Sequence, residues 1–147
     1  MSRGTVGRPM EILMVEDDLE DAGLTIEAMR SGEVPSRISL VRDGEEALEF
    51  LFRQGKFRSA PQPDLILLDL QLPKIEGREL LLQIKADPRL KSIPVVVLTG
   101  SLTHLQILRA ENLNVESYLN KPIDLAEFSR VVKSLRKFML SDVIMPP

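Results

Sequence analysis

Leu65-Ile66-Leu67-Leu68-Asp69 is four consecutive branched aliphatic residues closed by a carboxylate. A strand with one face in water alternates apolar and polar side chains. A run without alternation is what a strand covered on both faces requires. Three other stretches repeat the arrangement. Ile12-Leu13-Met14-Val15 closes in Glu16-Asp17-Asp18, the run from Ile93 to Leu98 closes in Thr99, and the run from Val115 to Leu119 stops just before Lys121-Pro122. With a further apolar run at 38–41, strands are predicted near residues 11–15, 38–41, 65–68, 94–98 and 117–119.

Helical patterns fill the intervals. Leu19, Ala22, Ile26 and Met29 recur at helical spacing. Asp43-Gly44-Glu45-Glu46 reads as an N-cap with an acidic partner three residues on, opening a helix that Gly55 is placed to stop. Leu80, Leu81 and Ile84 mark a third helix that should end before Pro88. A fourth is expected from Thr103, with Gln106 as its reciprocal partner. A fifth is capped by Asp124 and Glu127 and carries one apolar stripe, Phe128, Val131, Val132, Leu135 and Phe138. Strand and helix alternating five times imply an α/β fold, a doubly wound five-stranded parallel sheet of (βα)5 order with right-handed crossovers.

In such sheets ligands bind at the carboxyl ends of the strands. Those ends receive Glu16, Asp17, Asp69, Thr99 and Lys121. Several carboxylates with one hydroxyl and one ammonium suit a divalent cation together with a phosphoryl group. Asp18, one place past the acidic pair, reads as the cap of the first helix. His104, the single histidine, reads as a surface residue, and Arg53, Lys56 and Arg58 as solvated side chains around a polar loop.

Composition narrows the class. The 147 residues fit one domain, and 44% apolar with 28% charged residues suits a soluble core-forming chain. Nineteen basic against 22 acidic residues give a net charge of -3, without the basic excess that marks nucleic-acid binding. Cysteine is absent, which excludes disulfides and thiolate metal sites. No apolar run approaches the roughly 20 residues of a membrane span, and residues 1–9 lack a secretory core, so a cytoplasmic protein with no membrane partner is expected. Residues 1–9 read as a loose leader, 10–138 as the domain, and 139–147 as an apolar tail.

The landmarks Glu16-Asp17, Asp69-Leu70-Gln71-Leu72-Pro73 with Gly77, Thr99, and Tyr118-Leu119-Asn120-Lys121-Pro122, in this order, resemble the receiver domain of two-component response regulators over nearly the whole chain. Residues 65–74, residues 93–99 and the tail ending in prolines look like the stand-alone regulators that pair with bacterial phytochrome kinases. The resemblance implies a flavodoxin-like sheet of order 2-1-3-4-5. It implies Asp69 as the acceptor of a phosphoryl group from a sensor histidine kinase. It implies Mg2+ held by Glu16, Asp17, Asp69 and the backbone carbonyl of Gln71. Lys121 would pair with Asp69 and then with the phosphoryl group, to which Thr99 would donate. Thr99 and Tyr118 would form the switch. A homodimer is expected through Phe138, Met139, Leu140, Val143 and Ile144.

The alternative reading is an aspartate-nucleophile phosphatase of the haloacid-dehalogenase type. That class resembles Asp-x-Asp after its first strand, whereas Asp69 follows the third and position 71 is Gln. A dinucleotide-binding domain would need Gly-x-Gly-x-x-Gly after a strand, which is absent. A scaffold without phosphotransfer would not need the acceptor, acidic pair, Thr99 and Lys121 together.

Overall fold

A computed structural model describes residues 9–30, 36–69, 77–99, 117–120, 126–127 and 130–131, with the side chains of Thr99, Ser117, Tyr118 and Asn120 outside that description. Strands β1 (Met10–Val15), β2 (Ser36–Val41), β3 (Leu65–Asp69), β4 (Val95–Thr99) and β5 (Ser117–Asn120) alternate with helices α1 (Leu19–Arg30), α2 (Gly44–Leu51) and α3 (Gly77–Ala86). The strands form one parallel sheet in the order β2-β1-β3-β4-β5. This is the flavodoxin-like α/β arrangement expected from the sequence.

The absence of alternation in the strands has a direct structural counterpart. Leu13, Val15, Ile66, Leu68, Val95 and Val97 pack with Ala47, Phe50, Leu80, Leu81 and Ile84 from α2 and α3. Met10, Ile12, Met14, Leu65, Leu67, Val96 and Leu98 pack on the other side with Ala22 and Met29 of α1, and half-buried Val131 joins them. Successive side chains of one strand thus feed two cores, because strand side chains alternate faces.

Among the described residues the helix ends follow the sequence with one departure. Asp43 caps α2, its Oδ1 accepting the Glu46 N–H at 2.9 Å, while Glu46 Oε1 accepts the Arg42 N–H at 2.9 Å. Gly55 is not what stops this helix. The N–H of Arg53 reaches the Phe50 carbonyl and the N–H of Gln54 reaches that of Glu49, the paired bonds of a Schellman turn. The left-handed residue in that turn is Arg53, with φ 55°. Glycine ordinarily takes that position, and a residue with a Cβ is disfavoured there by about 1 kcal/mol. Gly55 has φ 56° in its own right, inside a short 3-10 turn, Gly55–Phe57.

Strands β1 and β3 are tied at their starts. The Glu11 N–H donates to Asp64 Oδ2 at 2.8 Å, and the Asp64 N–H donates to the Glu11 carbonyl at 2.7 Å. The β3–β4 pairing begins one step before the β4 strand, where the Ile66 N–H reaches the Pro94 carbonyl. Pro94 sits at the strand start, where a missing donor costs nothing.

Candidate functional site

Register builds the site. β1 pairs with β3 from Ile12↔Leu65 to Val15↔Leu68, so the next residues along the two strands are Glu16 and Asp69. They emerge at the carboxyl edge where the strand order reverses, β2 lying to one side of β1 and β3 to the other. The helices leaving β1 and β3 depart on opposite faces there and leave a crevice.

The carboxylates of Glu16, Asp17 and Asp69 meet in that crevice, with one oxygen from each lying within 4.8 Å of the others. Glu16 and Asp69 are only 1% and 3% exposed, and Asp17 is half-buried. Backbone contacts hold the first of these in place. The Glu16 N–H donates to the Val41 carbonyl at 3.0 Å, and Glu16 Oε2 accepts the Asp18 N–H at 3.2 Å. Asp18 itself turns away to cap α1. Its Oδ1 accepts the N–H groups of Glu20 and Asp21 at 2.9 and 3.1 Å. Four acidic residues at the two strand ends are thus divided between two tasks, three gathering in the crevice and one closing a helix.

Like charges at such spacing repel by roughly 3–4 kcal/mol per pair at an effective dielectric near 20. A dication offsets that repulsion. Magnesium–oxygen distances of about 2.1 Å put neighbouring ligand oxygens about 3–4 Å apart. Three oxygens already within 4.8 Å need only small side-chain rotations to meet that spacing. The donor set is all oxygen, which suits a hard cation. α1 begins two residues after Asp17, so the positive end of its dipole lies close along the chain to the acidic pair.

Thr99 ends β4, its backbone opposite Asn120 in β5 and one residue beyond the Asp69↔Leu98 pair. Tyr118 lies in β5 opposite Val97. The backbone therefore brings both to the neighbourhood of the acidic cluster. Gln71, Lys121, Phe138, Met139, Leu140, Val143 and Ile144 lie outside the described residues, as do His104, the whole of the expected fourth helix and most of the expected fifth.

The response regulator receiver domain profile matches residues 12–133. The chain belongs to the response regulator receiver domain family. As a receiver domain it is homologous to two-component response regulators. It is 41% identical over 138 residues to response regulator Rcp1 of Synechocystis sp., spanning 94% of each chain. It is similar to the crystal structure of the phosphorylated cyanobacterial phytochrome response regulator RcpA, at 42% identity and TM-score 0.75, covering 95% of this chain and 100% of that one. The Mn2+-bound form of Rcp1 matches at 40% identity and TM-score 0.74 over 95% of this chain and 100% of that one. A receiver domain of this kind is a signalling protein.

One part of the surface was not legible as a site. Arg53, read from sequence as merely solvated, lines a cleft with Arg89. Its signal would have been the joint placement of two turns, which sequence spacing does not give. Lys56 is exposed, as read from sequence, and in addition its Nζ lies 2.9 Å from Glu46 Oε2 and 5.2 Å from the centre of the Phe57 ring.

Proposed function

We propose that this receiver domain accepts a phosphoryl group on Asp69 from a sensor histidine kinase and signals through the resulting change at the carboxyl edge of the sheet. The observation that carries this reading is the meeting of Glu16, Asp17 and Asp69 carboxylate oxygens within 4.8 Å in the switch-point crevice. Magnesium fits that donor set and would be held by these three carboxylates together with the backbone carbonyl of Gln71. Bound there, it would supply positive charge against the transferring phosphoryl oxygens.

The chain's own groups do the rest. An Asp69 carboxylate oxygen attacks phosphorus, a P–O bond forms, and the P–N bond to the kinase imidazole breaks with its electron pair leaving on nitrogen. Lys121 pairs with Asp69 beforehand and with a phosphoryl oxygen afterwards, as a point charge on a flexible stem can. The Thr99 hydroxyl donates to the phosphoryl group, and Tyr118 on the neighbouring strand follows it. Likeness to RcpA and Rcp1 supports a phytochrome as the kinase.

The receiver unit spans residues 10–138, with 1–9 as leader. Phe138 and the apolar tail 139–147, through Met139, Leu140, Val143 and Ile144, would supply a homodimer contact, since the stretch has the apolar composition that interfaces bury. Among the described residues no helix is long and apolar enough to cross a membrane, in keeping with a cytoplasmic site of action.

Incubation with a small-molecule phosphodonor and Mg2+, read by intact mass, should add one phosphoryl group to the parent and none to Asp69→Asn. An unmodified parent would overturn the reading. Sedimentation of a chain truncated after Leu135 should give a monomer where the full chain gives a dimer.

A further inference from the structure

At the opposite end of β3 from Asp69, a cleft of about 160 Å³ is bounded by the turn that ends α2 and the turn that follows α3. Buried Pro63 and Leu90 form its floor, half-buried Leu51 and Phe52 its wall, and exposed Arg53 and Arg89 its rim. Among the described residues that line it there is no carboxylate. Six residues of extended chain separate Pro63 from Asp69, about 20 Å, so the cleft is spatially distinct from the acidic crevice.

Two features single out the arginines. Arg53 occupies the left-handed position of the Schellman turn, where glycine would be unstrained. Backbone strain of that kind accumulates at functional positions. Arg89 is held in place, its guanidinium carbon 4.9 Å from the centre of the Phe52 ring and its Nε 3.5 Å from Asp87 Oδ1. Asp87 is in turn fixed by the Arg89 N–H at 2.7 Å. One guanidinium is thus pre-positioned over an aromatic wall, and the second is kept at a conformational cost.

We propose that this cleft binds a small organic carboxylate with a flat apolar body, the chemical class of benzoate. Guanidinium groups match carboxylates through paired N–H donors. An apolar floor with a few convergent polar groups is the common make-up of small-molecule sites. The cleft, about 160 Å³ and open to solvent on one side, has room for one aromatic ring with its carboxylate at the mouth. A bare inorganic anion would use the rim and leave the floor wet, and a neutral aromatic would use the floor and gain nothing from the two guanidinium groups.

The test is amide NMR of the full chain titrated with sodium benzoate, with sodium sulfate and benzyl alcohol as separate arms. Benzoate should give saturable shifts at Phe52, Arg53 and Leu90, with a Kd near the ~1 mM expected of an efficient nine-atom ligand. Sulfate and benzyl alcohol should each bind at least roughly tenfold more weakly. Arg53→Gly relieves the strained turn, so it should raise the melting temperature while weakening benzoate roughly tenfold. That pairing separates binding from folding. Arg89→Gln should weaken benzoate similarly, and Asp69→Asn should leave it unchanged. Shifts still linear at tenfold higher benzoate, equal binding of sulfate, unaltered affinity in Arg53→Gly, or loss of binding in Asp69→Asn would each overturn the proposal.

Discussion

Glu11 and Asp64 are joined by two hydrogen bonds, Glu11 N–H to Asp64 Oδ2 at 2.8 Å and Asp64 N–H to the Glu11 carbonyl at 2.7 Å. They stand at the starts of the two strands whose far ends deliver Glu16 and Asp69. Because the pairing is parallel and in step from Ile12↔Leu65 onward, this clamp also fixes which residues face each other at the crevice. Asp64→Ala removes the side-chain acceptor and leaves the Glu11 N–H facing water at best. The expected loss is about 1–2 kcal/mol, a fall in melting temperature of roughly 3–6 °C. Thermal unfolding followed by circular dichroism checks it, and an unchanged midpoint would show that the backbone bond alone sets the register.

Stability should respond to magnesium through the acidic cluster. A ligand that binds only the folded state stabilises by about 1.4 kcal/mol at tenfold excess over its Kd, so the parent should melt roughly 3–6 °C higher in saturating Mg2+ than in a chelator. Asp17→Asn and Asp69→Asn should each lose most of that increment. Differential scanning calorimetry with and without Mg2+ measures it, and an increment retained in both variants would place the cation elsewhere.

Acid should weaken the α2 cap in a defined window. The Lys56 ammonium beside Glu46, and next the Arg42 N–H, hold the Glu46 carboxyl below its ordinary value of 4.5. A depressed folded-state pKa means the folded chain binds fewer protons than the unfolded chain. The contribution is therefore complete above pH 4.5 and is lost as pH falls through the lower folded value. Glu46 pushes the Lys56 ammonium above its ordinary 10.5, so that half is complete below 10.5 and disappears only in stronger base. Between these limits Glu46→Gln should lower stability by about 0.5 kcal/mol, allowing for solvent screening. Urea unfolding of both chains at a series of pH values should show the gap closing in acid.

Arg53 and Gly55, the two positive-φ residues among those described, should respond in opposite directions. Arg53→Gly at φ 55° should stabilise by about 1 kcal/mol, and Gly55→Ala at φ 56° should destabilise by a similar amount. The space at Gly55 is not the obstacle, since an added Cβ would meet Glu49 Oε2 at an ordinary 3.5 Å. Chemical denaturation of the two single variants compares them directly. A destabilised Arg53→Gly would mean that the arginine side chain supports the fold more than its backbone strains it.

The sheet was legible because its strands are buried on both faces, and that leaves a run such as 65–68 with no polar interruption. The start of β2 was not. Ser36 and Arg37 are polar, and β2 is the edge strand, so burial marks its end at Val41 and not its beginning. The stop of α2 was placed at Gly55 because glycine is the usual left-handed residue. Main-chain bonds put the turn two residues earlier on Arg53, which composition alone does not reveal. The acidic cluster was readable because each member closes a strand, and parallel register carries such residues to one edge. The arginine cleft was not, because Arg53 and Arg89 sit in turns whose separation depends on how α2 and α3 pack.

Ile66 and Leu68 are lodged among α2 and α3 residues while Leu65 and Leu67 are lodged beneath α1. The strand bearing Asp69 is therefore anchored from above and below, and sliding it would displace several leucines, at about 2–5 kcal/mol for each contact set lost. A new charge at its tip has an unyielding support behind it. If Asp69 takes the phosphoryl group as proposed, the response with the fewest packed side chains in its way runs along the rim of the sheet, from one strand tip to the next.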